Sequence, residues 1–150
     1  MRAVVQRVSS ASVTVDGEII SQIGAGLLVL LGIHKDDTEK EREYIIKKIV
    51  NLRIFPDSAD MHNINKSIKD TDGEILLVSQ FTLYGDCKKG NRPSFIAAMP
   101  PEKAKSFYED FAKELKHIYP KTKEGMFGAY MHVALVNDGP VTILLNSARA

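Results

Sequence analysis

Ile75-Leu76-Leu77-Val78-Ser79-Gln80-Phe81-Thr82-Leu83-Tyr84-Gly85-Asp86 is a stretch in which an apolar run gives way abruptly to hydrogen-bonding side chains. The run reads as a buried strand, and the polar groups that end it need partners, because burying one without a partner is costly. Period-two alternation puts Gln80 and Thr82 on one face, Ser79 and Phe81 on the other. In a regular strand the Ser79 and Thr82 hydroxyls therefore cannot share a pocket; only a bulge or bend brings them together. Alone, the pattern is that of a strand end with satisfied Ser and Thr side chains.

On the N-terminal side, residues 2–15 alternate as a strand, with Val4, Gln6 and Val8 opposing Ala3, Val5, Arg7 and Ser9. Arg7 is out of place on a face of small and apolar residues: such an arginine either snorkels to an edge or is buried to orient something polar. Val13-Thr14-Val15, Asp16-Gly17 and Glu18-Ile19-Ile20 form a hairpin signal, since Asp-Gly suits a type I′ turn. Leu27 to Leu31 is a continuous apolar run, expected to be a strand covered on both faces. A helix starts near Thr38, where Thr38 and Glu41 make a capping box and Ile45, Ile49 and Leu52 share a face. Pro56 to Gly73 reads as irregular surface; His62 within it lacks the Cys or carboxylate company of a metal site.

On the C-terminal side, Gly85 to Pro93 is a polar loop carrying Lys88, Lys89 and Arg92. Pro100-Pro101-Glu102 opens a second helix, whose stripe of Ala104, Phe107, Tyr108, Phe111, Leu115 and Ile118 is expected to face the core. Gly125 to Gly128 then turns into an alternating strand with Met131, Val133 and Leu135 on one side. Asn137-Asp138-Gly139-Pro140 is expected to interrupt it before another strand, Val141 to Leu145. The expectation is an α/β chain of mixed or antiparallel sheets packed together, two main helices covering one side, in one domain over residues 1–150.

Composition narrows the function. The 150 residues are 44% hydrophobic and 26% charged, near globular averages. Neither a signal peptide nor a membrane-length apolar run is visible, and the single Cys87 excludes an intramolecular disulfide, so a cytoplasmic protein with no membrane partner is expected. A net charge of +1 gives no global field for nucleic acid, so any RNA contact must come from a local patch such as Lys88, Lys89 and Arg92. The alternative for that patch is an ordinary solvated loop.

The chemistry is narrowed by what is missing. None of the four histidines, His34, His62, His117 and His132, lies in a nucleophile motif, and there is no phosphate loop, dinucleotide fingerprint or zinc spacing. No metal or cofactor is expected. A site of backbone amides and small polar groups remains, since amides aimed at a developing oxyanion need no charged residue. Gly139-Pro140 can expose two carbonyls with no side chain in the way, and an X-Pro bond has a real chance of being cis.

Ser79-Gln80-Phe81-Thr82-Leu83, Asn91-Arg92-Pro93-Ser94-Phe95 and Asn137-Asp138-Gly139-Pro140-Val141-Thr142, taken together and in this order, resemble the D-aminoacyl-tRNA deacylases, also called the D-tyrosyl-tRNA deacylase family. Met1 to Val8 and Phe127-Gly128-Ala129 match the family's phrasing as well, so the resemblance spans the whole chain. It implies a homodimeric esterase with a composite active site that frees D-amino acids from the 3′-terminal adenosine of tRNA, and glycine mischarged on the tRNA for alanine. It also implies that Gly139-Pro140 is a cis dipeptide whose carbonyls enter the partner subunit's site and reject L side chains. Arg7 would hold that corner. Ser79, Gln80, Phe81 and Thr82 would form the catalytic floor, with Thr82 either a nucleophile or a positioning residue. The variable stretch Asp86 to Asn91 and Tyr130 depart from the family's usual wording, and Cys87 reads as a bystander thiol. The competing class is a dimeric module that binds aminoacyl ends without turnover.

Overall fold

Asp16 and Gly17 adopt φ of 50° and 81°, the two positive values that a type I′ turn demands. They join β1 (Arg2–Val15) to β2 (Glu18–Ile23). The computed structural model describes residues 1–57 and 59–147. β3 (Gly26–Gly32) runs antiparallel along the first half of β1, with Ala3 opposite Leu31 and Arg7 opposite Leu27. After α1 (Glu39–Asn51) and a small ribbon of β4 (Phe55–Pro56) and β5 (Ile64–Lys66), β6 (Glu74–Ser79) pairs parallel to β3. α2 (Pro101–Ile118) leads to β7 (Thr122–Glu124), parallel to β6, and β8 (His132–Asn146) lies antiparallel along the other edge of β1.

The expected mixed sheets packed together take the form of one six-stranded sheet that folds over itself, with the two-stranded β4–β5 ribbon apart. The ladder between β1 and β8 shifts register on both sides of Val8, and such irregularities bend a strand sharply. The far half of β1 and β2 thereby returns over the sheet, so that Val13, Val15 and Ile23 pack on Leu28, Leu76 and Val78. The opposite face carries Val5, Leu27, Val29, Leu31, Ile75 and Leu77, and both helices cover it through Ile45, Ile49, Phe111 and Leu115. Strands β3 and β6 are thus buried on both sides, as their unbroken apolar runs require. Fully burying each such Leu or Ile contributes about 1.5–3 kcal/mol.

The helix signals are realised by named contacts. Thr38 and Glu41 form the capping box: the Thr38 amide and hydroxyl donate to the Glu41 carboxylate at 2.8 and 2.6 Å. Pro101 occupies the first turn of α2, and its stripe is buried at Ala104, Tyr108, Phe111 and Leu115, half-buried at Phe107 and exposed at Ile118. Two expectations change. The irregular segment 56–73 contains β5 and a short 3₁₀ turn, Ile68–Asp70, held by the Ser67 hydroxyl on Asp70. The C-terminal pair of strands is one long strand, β8, in which the expected interruption persists as a break in pairing between Asn137 and Thr142. Among the described residues, no helix is long and apolar enough to cross a membrane.

Candidate active site

β6 stops at Ser79, and the chain at once winds into a 3₁₀ turn, Phe81–Tyr84. The Gln80 amide still donates to the Leu31 carbonyl at 2.7 Å, whereas the Leu83 and Gly85 amides donate back to Gln80 and Thr82. The turn packs tightly on β3: a Cβ at Gly32 would stand 3.1 Å from both the Gln80 carbonyl oxygen and Leu83 Cβ, so a side chain there would push the turn outward. Beneath it lies Tyr84, with the Arg2 guanidinium 4.6 Å above its ring and Arg2 Nη1 donating to the Leu83 carbonyl. Burial pushes ionisation of the Tyr84 hydroxyl well above the ordinary tyrosine range, with Asp37 adding to the shift, so it stays neutral.

This winding breaks the alternation expected of a strand. Ser79, Gln80 and Phe81 all line one cavity of about 480 Å³, together with Leu31, Ile33, Phe95, Ala98, Met99, Phe127, Gly128 and the start of α2. Phe81 is 57% exposed and meets Phe95 edge-on, ring centroids 5.1 Å apart. Thr82 is exposed and outside the lining; its Oγ1 accepts a short hydrogen bond from Gln80 Nε2. Among the described residues no Asp, Glu, His, Lys, Cys or Tyr lines the cavity, so none of the lining side chains can act as a general base at neutral pH. The first N–H groups of a helical turn, here those of Phe81 and Thr82, have no carbonyl partner inside the turn, and Phe81 lines the wall. Among the described residues there is no cluster of three or more potential metal-ligating side chains.

Gly139 and Pro140 lie elsewhere on the chain. Gln6 faces Thr142 and Val8 faces Asn137, so residues 138–141 oppose Arg7 alone and stand out from the ladder as a corner. The Gly139-Pro140 bond is cis and Gly139 has φ 121°. Asn137 clips the corner shut, its Nδ2 donating to the carbonyls of Arg7 and Val141 at 2.9 and 3.0 Å. Thr142 Oγ1 donates to Asn137 Oδ1 and accepts from Gln6 Nε2, both at 3.2 Å. Arg7, 3% exposed, does not snorkel. Its Nη1 donates to the Ile54 carbonyl at 2.7 Å and its Nε to the Asp138 carbonyl at 3.2 Å, and it pairs with the Asp138 carboxylate. A buried guanidinium must be saturated in this way, and it is saturated by the corner.

Within one chain these two groups of residues are apart. Leu31, beside Ser79, is four residues along β3 from Leu27, beside Arg7, about 13 Å at strand rise. Crossing from β8 to β6 takes three strand spacings, about 14 Å. Measured along the sheet, the cavity and the corner are therefore about 19 Å apart in one copy. Met99, Ala98 and Asn137 were not singled out as site residues from sequence. The last had a signal, since an Asn before Asp-Gly-Pro can bond its own backbone.

Residues 4–146 match the model of a family described as D-Tyr-tRNA(Tyr) deacylase. Over 147 residues the chain is 56% identical to the D-aminoacyl-tRNA deacylase of Thermodesulfovibrio yellowstonii, covering 98% of this chain and 99% of that protein. It is 58% identical over 149 residues to the Clostridium beijerinckii protein of the same name, covering 99% of each. Among solved structures it is similar to one titled c-Myc DNA Unwinding Element Binding Protein, with TM-score 0.92 and 52% identity over 99% of this chain and 100% of that one.

Proposed function

This chain belongs to the D-Tyr-tRNA(Tyr) deacylase family, and from that premise we propose how it cleaves the ester between a D-amino acid and the 3′-terminal adenosine of tRNA. It is a hydrolase of aminoacyl-tRNA esters, and residues 1–150 act as one cytoplasmic deacylase domain. The observation that carries the mechanism is the winding of the chain after Ser79, which brings Ser79, Gln80 and Phe81 to one wall at the start of a 3₁₀ turn. The apolar cavity with Phe81 and Phe95 at its mouth suits a nucleoside, since a base stacks on aromatic faces whatever its sequence context. Water attacks the ester carbonyl, and the oxyanion takes hydrogen bonds from the Phe81 and Thr82 amides. With no titratable side chain in the cavity, the proton passes between water and the vicinal ribose hydroxyl, and the departing ribose oxygen receives it. Thr82 is a positioning residue: its oxygen accepts from Gln80, leaving its own proton to donate, and it has no base to make it a nucleophile.

The selectivity half of the site comes from a second copy. The corner and the cavity lie about 19 Å apart along the sheet within a chain, so Gly139 and Pro140 enter the cavity of a partner in a homodimer. Leu144, 77% exposed on β8, supports this pairing, because it heads a cross-strand row with the half-buried Val4 and Leu30. There the carbonyls of Gly139 and Pro140 take the substrate ammonium and fill the space an L side chain would need, while glycine, including glycine mischarged on the tRNA for alanine, passes. Incubation with D- and L-tyrosyl-tRNA tests the reading. Loss of the D ester alone is expected; binding of both without loss of either would make the chain a module rather than an enzyme.

A further inference from the structure

Residues 87–93, beyond the 3₁₀ turn, are not used by the chemistry above. Asp86 and Ser94 bond each other's backbone in both directions, at 2.8 and 2.9 Å, and close 87–93 into an exposed loop. The loop carries Lys88, Lys89 and Arg92 and no acidic residue. Elsewhere, Arg7, Arg42, Lys116, Lys121 and Lys123 are tied into ion pairs; among the described residues these three loop cations have no such partner. From Gly85 to Lys105 there are five basic and two acidic residues, a net +3 within a chain whose total is +1. The remaining residues therefore sum to −2, and the positive charge is concentrated in one segment.

That segment is anchored at the cavity. Phe95, directly after the closing Ser94, lines the cavity and touches Phe81. At the other end, a Cβ on Gly85 would stand 3.1 Å from the Phe95 ring and 3.5 Å from Pro93, so both ends of the loop are packed at the mouth. A nucleoside seated in the cavity is the last unit of a polyanion whose preceding phosphates must leave past this rim. Each Lys or Arg that neutralises a phosphate releases condensed counterions, giving binding a salt dependence of about 0.7 log units per neutralised phosphate on a single strand.

We propose that Lys88, Lys89 and Arg92 bind the phosphates immediately preceding the terminal adenosine of the tRNA substrate, so that the loop engages the acceptor strand and the cavity engages its end. The proposal rests on the deacylase reading of the cavity, and the test separates the two. The variant Lys88→Gln/Lys89→Gln/Arg92→Gln is compared with the wild type on D-tyrosyl-tRNA, on D-tyrosyl-adenosine (which has no phosphates) and in direct binding of uncharged tRNA. With all three cations neutralised, the log–log salt slope of tRNA binding and of kcat/KM should be shallower by about 2, a difference of roughly 20-fold between about 50 and about 200 mM salt. KM for D-tyrosyl-tRNA should rise about tenfold or more at low salt, while kcat/KM for D-tyrosyl-adenosine stays within about twofold of the wild type. Unchanged tRNA slopes would overturn the proposal, as would equal losses on both esters, which would mean the loop only shapes the cavity. Preferential salt-dependent binding of duplex DNA over tRNA would overturn it as well. If the wild type binds tRNA through the loop yet hydrolyses neither D ester, the deacylase reading falls and the loop assignment stands.

Discussion

Replacing Gly139 with alanine tests the corner most directly. At φ 121° an L side chain is strained, and holding a residue in such a region costs about 1–3 kcal/mol. The added Cβ would also stand 2.9 Å from Arg7 Nη2 and 3.0 Å from Val141 Cγ2. The guanidinium is the group that would have to yield, yet it is buried and bonded to the carbonyls of Ile54 and Asp138. A hydrogen bond to a charged group is worth about 1.5–3 kcal/mol, so moving Arg7 is not cheaper than moving the corner. The corner is exposed and can shift outward, which limits the cost in global stability to about 1–3 kcal/mol. A shift of about 1 Å at positioning groups costs about 100-fold in rate. Single-turnover deacylation of D-tyrosyl-tRNA should therefore fall about 100-fold while urea denaturation still shows a cooperative fold. Unchanged deacylation and unchanged D-over-L preference in a folded Gly139→Ala protein would refute the role given to the corner.

Three further outcomes are expected. Thr82→Ala should lower kcat only partly, by about tenfold or less, the loss of one neutral hydrogen bond; complete loss with the fold intact, or an acyl-Thr82 ester trapped by mass spectrometry, would restore the nucleophile model. Leu144→Asp places a charge where one copy leaves the side chain 77% exposed, so it should cost the fold about 0.5 kcal/mol or less yet yield a monomer by sedimentation that has lost D-over-L selectivity; a proven monomer that retains selectivity would sink the shared site. Glu74 is held below the ordinary carboxylate range by Lys123 first and then by the Gly24 amide. A lowered folded pKa contributes stability that is complete above the unfolded value, about 4.3, and is lost as pH falls through the folded one. Glu74→Gln should therefore flatten the decline in urea midpoint on acidification from about pH 6 to about pH 3, and an unaltered decline would refute the linkage.

How far the sequence could be read depended on the range of the interaction. The Asp16-Gly17 turn and the Thr38–Glu41 capping box are set within four residues, and both were legible with their atoms nearly assigned. The buried strands β3 and β6 and the stripe of α2 were legible because period and composition express burial directly. The one folded-over sheet was not, since its bend depends on register shifts between residues more than a hundred positions apart. Site residues divide the same way. Arg7 announced itself as a charge on an apolar face, but Ile54 as its acceptor could come only from packing. Alternation placed Ser79 and Gln80 on opposite faces, whereas the 3₁₀ turn puts both on one wall. The family resemblance pointed to Ser79, Gln80, Phe81 and Thr82 without conveying that geometry.

The pairing of β1 with β8 joins residues 2–14 to residues 132–146, and this has a consequence for how the chain is made. On the ribosome the first strand emerges early, pairs with β2 and β3, and then waits with an open edge until nearly the whole sequence has been synthesised. Contacts of such sequence separation form late, because chain closure must be completed before they reward it. Arg7 can meet Asp138 only once β8 is in place, so its partner and the corner it holds are expected to arrive together, late in folding. Truncated or stalled chains would carry the wall of Ser79, Gln80 and Phe81 without the corner, and the uncapped edge of β1 would be their point of self-association.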